Sequence, residues 1–170
     1  MWGRLRSIFA VLVLVTAALT TSGGVGVATP QVSAAARPAP LPVEDWRSQM
    51  HHKCLEVLSF DPANGAHAGM WDCWGGANQK WYWGNDGEIR SRFHNKCLEV
   101  LGLDPANGAR VGLWDCWGGA NQKWYVANNG EIRSKMHHKC LEVLSFDPAN
   151  GARVGMWDCW GGSNQKWYPA

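Results

Sequence analysis

The sequence has no stretch with a sustained helical period, and after its first residues it has no apolar run long enough to cross a bilayer. The first absence excludes a helical bundle and leaves an all-β domain as the expectation. The second excludes a membrane span in the body of the chain. The six cysteines lack the close Cys-x2-4-Cys spacing of structural zinc sites, so a metal role for them is disfavoured. Net charge is missing too, once a leader is set aside: residues 1–36 hold two of the 16 basic residues and none of the 14 acidic ones. A neutral chain offers no electrostatic footprint for nucleic acid or an anionic membrane.

What is present is repetition. A block of 43 residues runs three times in strict register: Cys54, Cys97 and Cys140 are equally spaced, as are Cys73, Cys116 and Cys159, and Trp81, Trp124 and Trp167. Residues 46–82 match residues 132–168 at 32 of 37 positions. An open array needs atypical end units, whereas here the first and third copies are the most alike, which favours closure with three-fold pseudosymmetry. Before the repeats, Arg4 and Arg6 precede the apolar run Ile8 to Leu19, and small residues follow up to Val32-Ser33-Ala34 or Ala34-Ala35-Ala36. That pattern reads as a secretory signal peptide over 1–36, followed by a Pro-rich lead over 37–42 and one domain over 43–170, with repeats 43–85, 86–128 and 129–170. The mature protein is expected outside the cell and monomeric.

Six cysteines in a secreted chain imply disulfides, and the simplest symmetric pairing is within each repeat: Cys54 with Cys73, Cys97 with Cys116 and Cys140 with Cys159. Each repeat carries four short strand signals, separated by turn signals such as Asp-Pro-Ala-Asn-Gly at 104–108, so twelve strands are expected. Alternation places Leu55, Val57 and Met70 toward the core with Trp81, and Glu56 and Trp71 on the other face. If each disulfide marks directly opposed residues, Glu56 faces Trp71, Glu99 faces Trp114 and Glu142 faces Trp157.

A sugar presents hydroxyls that need directed partners and C–H faces that lie against aromatic rings. Trp71 would supply the ring, Glu56 a charge-assisted acceptor and Asn78 an amide that both donates and accepts. Gln79 is expected to serve the backbone or Asn78. Trp74, Trp117 and Trp160, beside glycine pairs, either widen the aromatic platform or cover the disulfides.

The half-motifs Cys-Leu-acid-Val and Trp-Asp-Cys, followed by Asn-Gln-x-Trp, resemble the ricin B-type lectin domain over residues 43–170. Its Gln-x-Trp signature occurs at Gln79, Gln122 and Gln165, in register with the six cysteines. The resemblance implies a β-trefoil with three four-stranded repeats, intra-repeat disulfides and up to three shallow carbohydrate-binding sites. Carried over by position, it assigns those sites to Glu56, Trp71, Asn78 and Gln79; to Glu99, Trp114, Asn121 and Gln122; and to Glu142, Trp157, Asn164 and Gln165. Two departures repeat in all three copies. The family's usual Asp is Glu here, and the polar residue often found two before the aromatic is Gly69, Gly112 or Gly155.

These features point to a non-catalytic carbohydrate-binding protein whose partners are glycans or polysaccharides, with no cofactor and no metal. An enzyme reading has only Glu56 with Asp72 to offer, and strand parity sets those two on opposite faces. An alternative is a protein-binding or inhibitory trefoil whose sugar sites are vestigial. His51-His52 and His137-His138 fall in expected turns, where solvated histidines are the simplest reading.

Overall fold

The computed structural model describes residues 42–170; the expected signal peptide and all but the last residue of the Pro-rich lead lie outside the described residues. Twelve strands are present: β1 (Val43–Ser48), β2 (Cys54–Val57), β3 (Ala68–Trp71), β4 (Lys80–Trp83), β5 (Ile89–Ser91), β6 (Cys97–Val100), β7 (Val111–Trp114), β8 (Trp124–Val126), β9 (Ile132–Ser134), β10 (Cys140–Val143), β11 (Val154–Trp157) and β12 (Trp167–Pro169). The fold is all-β, with short 3-10 turns between strands, as the missing helical period implies.

Six strands close a barrel. β1 pairs with β4, β4 with β5, β8 with β9 and β12 with β1, while single bridges Glu88 to Lys123 and Glu131 to Lys166 complete the ring. The remaining strands form three hairpins, β2–β3, β6–β7 and β10–β11, that cap one end. This is a β-trefoil, and its closure removes the open sheet edges that an array would expose.

Periodicity assigns the core correctly. Leu55, Val57, Met70 and Trp81 are fully buried, as are their counterparts Leu98, Leu113, Leu141 and Met156 and the barrel residues Ile89 and Ile132. The Gln-x-Trp tryptophans do more than fill volume. The indole Nε1 of Trp81 donates to the carbonyl of Leu55 (2.9 Å), that of Trp124 to Leu98 (2.9 Å) and that of Trp167 to Leu141 (3.0 Å). Each therefore ties a barrel strand to the cap hairpin of its own repeat while satisfying its own buried N–H.

The disulfides join Cys54 to Cys73, Cys97 to Cys116 and Cys140 to Cys159. They do not mark opposed residues, and here the expected register needs correction. Cys54 lies opposite Trp71 and Glu56 opposite Gly69, and the same shift holds for Glu99 with Gly112 and Glu142 with Gly155. The strand ends at Trp71, and the chain bends so that Cys73 returns to Cys54 from beyond the pairing. The shift is by two residues, so face parity survives and Glu56 still shares a face with Trp71, now as a diagonal neighbour.

The register also explains the glycines that stand where the family often has a polar residue. A methyl group on Gly112 would sit 2.4 Å from the carbonyl oxygen of Ala66, on Gly69 2.8 Å from that of Ala152, and on Gly155 2.9 Å from that of Ala109. Those carbonyls accept from Leu113, Met70 and Met156 and stitch the three hairpins together. The glycines admit a neighbouring backbone, and no side chain fits there.

A second cyclic contact links the repeats. Asp115 accepts from Lys96 (2.5 Å) and from the amide of Asn64 in the first repeat (2.9 Å), and Asn64 in turn accepts from Lys96 (2.7 Å). The same trio forms from Asp72, Lys53 and Asn150, and from Asp158, Lys139 and Asn107. The first repeat thus clasps the third, the second the first, and the third the second.

Candidate functional site

In the first and third repeats the cap hairpin and the loop after it enclose a shallow hollow. The first, of about 360 Å³, is lined by Glu56, Ser59, Phe60, Trp71 and Trp74. The third, of about 310 Å³, is lined by Glu142, Leu144, Ser145, Phe146, Trp157 and Trp160. In the second repeat the corresponding positions are Glu99, Gly102, Leu103, Trp114 and Trp117.

The carboxylate is the fixed point. Glu56 is 4% exposed, and its Oε2 accepts from Nε2 of Gln79 (2.7 Å) and from the indole Nε1 of Trp74 (3.1 Å). Both protein donors fall on one oxygen, which leaves Oε1 as a free acceptor for whatever enters. Glu99 is held in the same way by Gln122 (2.7 Å) and Trp117 (3.2 Å), and Glu142 by Gln165 (2.6 Å) and Trp160 (3.2 Å). Gln79 uses its whole amide, since its Oε1 also accepts from the backbone N–H of Trp74 (3.0 Å) and Gly75 (3.2 Å) and its Nε2 donates to the carbonyl of Asp72 (2.9 Å). It therefore fixes the carboxylate and the loop together.

The rings come from three elements. Trp71, 40% exposed at the end of β3, approaches Gly151 of the third repeat. Trp74 lies over Gly76, where a methyl group would fall 2.0 Å from its ring; that close approach requires glycine. Phe60 sits 5.7 Å from Trp74 between ring centroids, and Phe146 5.8 Å from Trp160. Ser59 and Phe60 are both left-handed, with φ of 57° and 52°, as are Ser145 and Phe146 at 57° and 53°. Such a conformation costs a non-glycine residue roughly 1–2 kcal/mol. Phe60 and Phe146 recover little of it by burial, being about half exposed. Backbone strain of this kind gathers at ligand sites.

Among the described residues, nine of the eleven exposed large apolar side chains lie in the two hollows or at the equivalent positions of the second repeat: Phe60, Trp71, Trp74, Leu103, Trp114, Trp117, Phe146, Trp157 and Trp160. Apolar surface concentrated in that way marks an interaction site.

Of the side chains expected in the sites, the structure brings Glu56 and Trp71 together, with Glu99 and Trp114, and Glu142 and Trp157, in the equivalent places. It does not bring the asparagine amides with them. Asn78, Asn121 and Asn164 are buried, and each Nδ2 donates to a backbone carbonyl: to Val57 (3.2 Å), Val100 (3.1 Å) and Val143 (3.1 Å). Gln79, Gln122 and Gln165 lie behind the carboxylates and hold them; they also bond the backbone, as the sequence suggested, and the carboxylate takes the place expected for Asn78 as side-chain partner. Trp74, Trp117 and Trp160 widen the aromatic wall. Phe60, Leu103 and Phe146 were invisible to the strand pattern, since they follow the strands in a left-handed turn; a large apolar residue next to Asp-Pro was the available signal.

Asp72 is engaged at the contact between the first and third repeats, by Lys53 and Asn150. The Lys53 ammonium, with the Asn150 amide second, holds its carboxyl below the usual aspartate range, and Lys96 with Asn64 does the same for Asp115. Glu131 lies near Cys140 and Cys159, but those sulfurs are bonded to each other and offer no thiolate to a metal. The histidine turns carry left-handed His52, Asn95 and His138, and His52 bonds the Tyr168 hydroxyl (2.8 Å) at the seam of the barrel.

The family model described as "Ricin-type beta-trefoil lectin domain" matches residues 45–167. No curated protein matches the chain in sequence. Among solved structures, a designed three-fold symmetric protein, ThreeFoil, aligns at 27% identity over 75% of this chain and 96% of its own, with a TM-score of 0.71. The C-terminal half of an earthworm R-type lectin, solved with GalNAc, aligns at 24% identity over 76% of this chain and 98% of its own, with a TM-score of 0.64. An exo-beta-1,3-galactanase from Clostridium thermocellum aligns at 24% identity with a TM-score of 0.71; the match covers 78% of this chain and 30% of that one.

Proposed function

We propose that this chain, which belongs to the ricin-type beta-trefoil lectin family, is a secreted, non-catalytic carbohydrate-binding protein whose three hollows engage one polymeric glycan together. The observation that carries this reading is the repeated pairing of a buried carboxylate, one oxygen free, with exposed tryptophans. A sugar ring matches both parts: its C–H face lies on Trp71 or Trp74, and adjacent hydroxyls donate to Oε1 of Glu56. The contact residues are Glu56, Trp71, Trp74 and Phe60 and their counterparts, while Asn78, Gln79 and their counterparts position them. A leader over 1–36 and three disulfides suit an oxidising, extracellular destination.

Open hollows of this size bind a single sugar weakly, near the millimolar end at about 4 kcal/mol. Three on one rigid body gain avidity on a polymer, on the order of a hundredfold or more over one site. The mature protein should therefore be retained on an insoluble polysaccharide far better than a monosaccharide competes for it. Replacing Trp71, Trp114 and Trp157 together by alanine should abolish that retention. Retention unchanged in the triple variant, or absent across a broad panel of polysaccharides and glycans, overturns the reading and leaves a protein-binding trefoil.

A further inference from the structure

Six acidic side chains of the described residues are buried, and they divide into two sets. Asp45 is paired with Lys80 (2.8 Å), Glu88 with Arg90 (2.7 Å) and Lys123 (3.1 Å), and Glu131 with Arg133 (2.5 Å). Glu56, Glu99 and Glu142 form no ion pair among the described residues; their protein partners are neutral amides and indoles. A buried carboxylate without a cation is costly, and the fold has accepted that cost three times at equivalent positions. Glu56 and Glu142 also line hollows walled by aromatic rings, and Glu99 holds the equivalent position beside Trp117, surroundings that favour a cation from outside.

We propose that the hollows select a protonated amine carried on a sugar, so that the glycan this protein recognises is one of amino sugars with free amino groups. This rests on the carbohydrate-binding reading above and names the ligand class within it. The ammonium donates to Oε1 of the glutamate, supplying the missing positive charge, while its ring and the adjoining residues of the polymer lie against the tryptophans. An anionic sugar is disfavoured by the same carboxylate. Glutamate in place of the family's usual aspartate carries the oxygen one methylene further toward the entrant group. Phe60 and Phe146 add a third ring to the first and third hollows, whereas Leu103 adds none to the second; the second is therefore the weakest of the three.

The test is calorimetric titration of the mature protein with three β-1,4-linked oligomers of equal length: glucosamine, N-acetylglucosamine and glucose. The glucosamine oligomer is expected to bind tighter than the other two by roughly ten- to a hundredfold, the added worth of a charge-assisted hydrogen bond with a cation–π contact. The preference should shrink as salt is raised, and vanish when pH is raised past the amine's own pKa, because the neutral amine no longer complements the carboxylate. Replacing Glu56, Glu99 and Glu142 together by glutamine should also abolish it; if that variant does not fold, the salt and pH series on the unaltered protein decides. Equal affinity for the three oligomers, or a preference that survives deprotonation of the amine, overturns the inference and leaves the carbohydrate-binding reading standing. Binding to none of them overturns it as well, and the polysaccharide panel then decides separately whether the broader reading falls.

Discussion

Trp124→Ala is expected to lower the unfolding free energy by about 3–5 kcal/mol. Its ring is essentially unexposed in the centre of the second repeat, and its Nε1 holds the carbonyl of Leu98 on the cap strand. Truncation leaves a large cavity and orphans a buried acceptor, and the disulfide Cys97–Cys116 prevents the hairpin from collapsing far enough to fill the space. Ten residues earlier in the same repeat, Trp114→Ala should cost no more than about 1 kcal/mol, because that ring is already 40% exposed. Urea unfolding with the disulfides intact gives both numbers. Similar losses for the two variants would contradict the division between structural and recognition tryptophans.

Gln122→Leu is expected to cost about 2–4 kcal/mol and to disable the second hollow at the same time. Its amide makes four hydrogen bonds: Oε1 accepts from the backbone N–H of Trp117 (3.0 Å) and Gly118 (3.2 Å), and Nε2 donates to Glu99 (2.7 Å) and to the carbonyl of Asp115 (2.9 Å). Leucine has similar volume but leaves all four partners without their bond, and the carboxylate of Glu99 keeps only the Trp117 indole as a donor. Loss of stability and of ligand binding should therefore appear together in this variant, whereas in Trp114→Ala binding falls with little change in stability. A Gln122→Leu protein with full stability would show that the amide network is dispensable.

The contrast between these tryptophans shows what was legible in the sequence. Period and alternation were enough to put Leu55, Met70 and Trp81 inside, because burial follows parity and parity is local. The cysteine register was enough for the pairing but not for the geometry, since a disulfide can join a strand residue to one beyond the end of its partner strand. Glu56 accordingly moved from opposite Trp71 to opposite Gly69 without changing face. Gly69, Gly112 and Gly155 carried no local signal of their purpose, which is the approach of a carbonyl from the neighbouring repeat. Asn78 read as an amide facing the sugar and Gln79 as its support, yet the loop set by Gly75 and Gly76 turns both inward and leaves Trp74 outside. Phe60 and Phe146 owe their place to a left-handed turn, and nothing in strand periodicity points to one.

On the proposed function, recognition belongs to the glutamate-and-tryptophan hollows while the Gln-x-Trp tryptophans only hold the fold. Indole N–H resonances of the protein, followed by NMR during titration with oligomers of a polysaccharide that retains it, test this most directly. Shifts are expected at Trp71, Trp74, Trp114, Trp117, Trp157 and Trp160, with Trp81, Trp124 and Trp167 unmoved. Shifts confined to residues outside the hollows would contradict it.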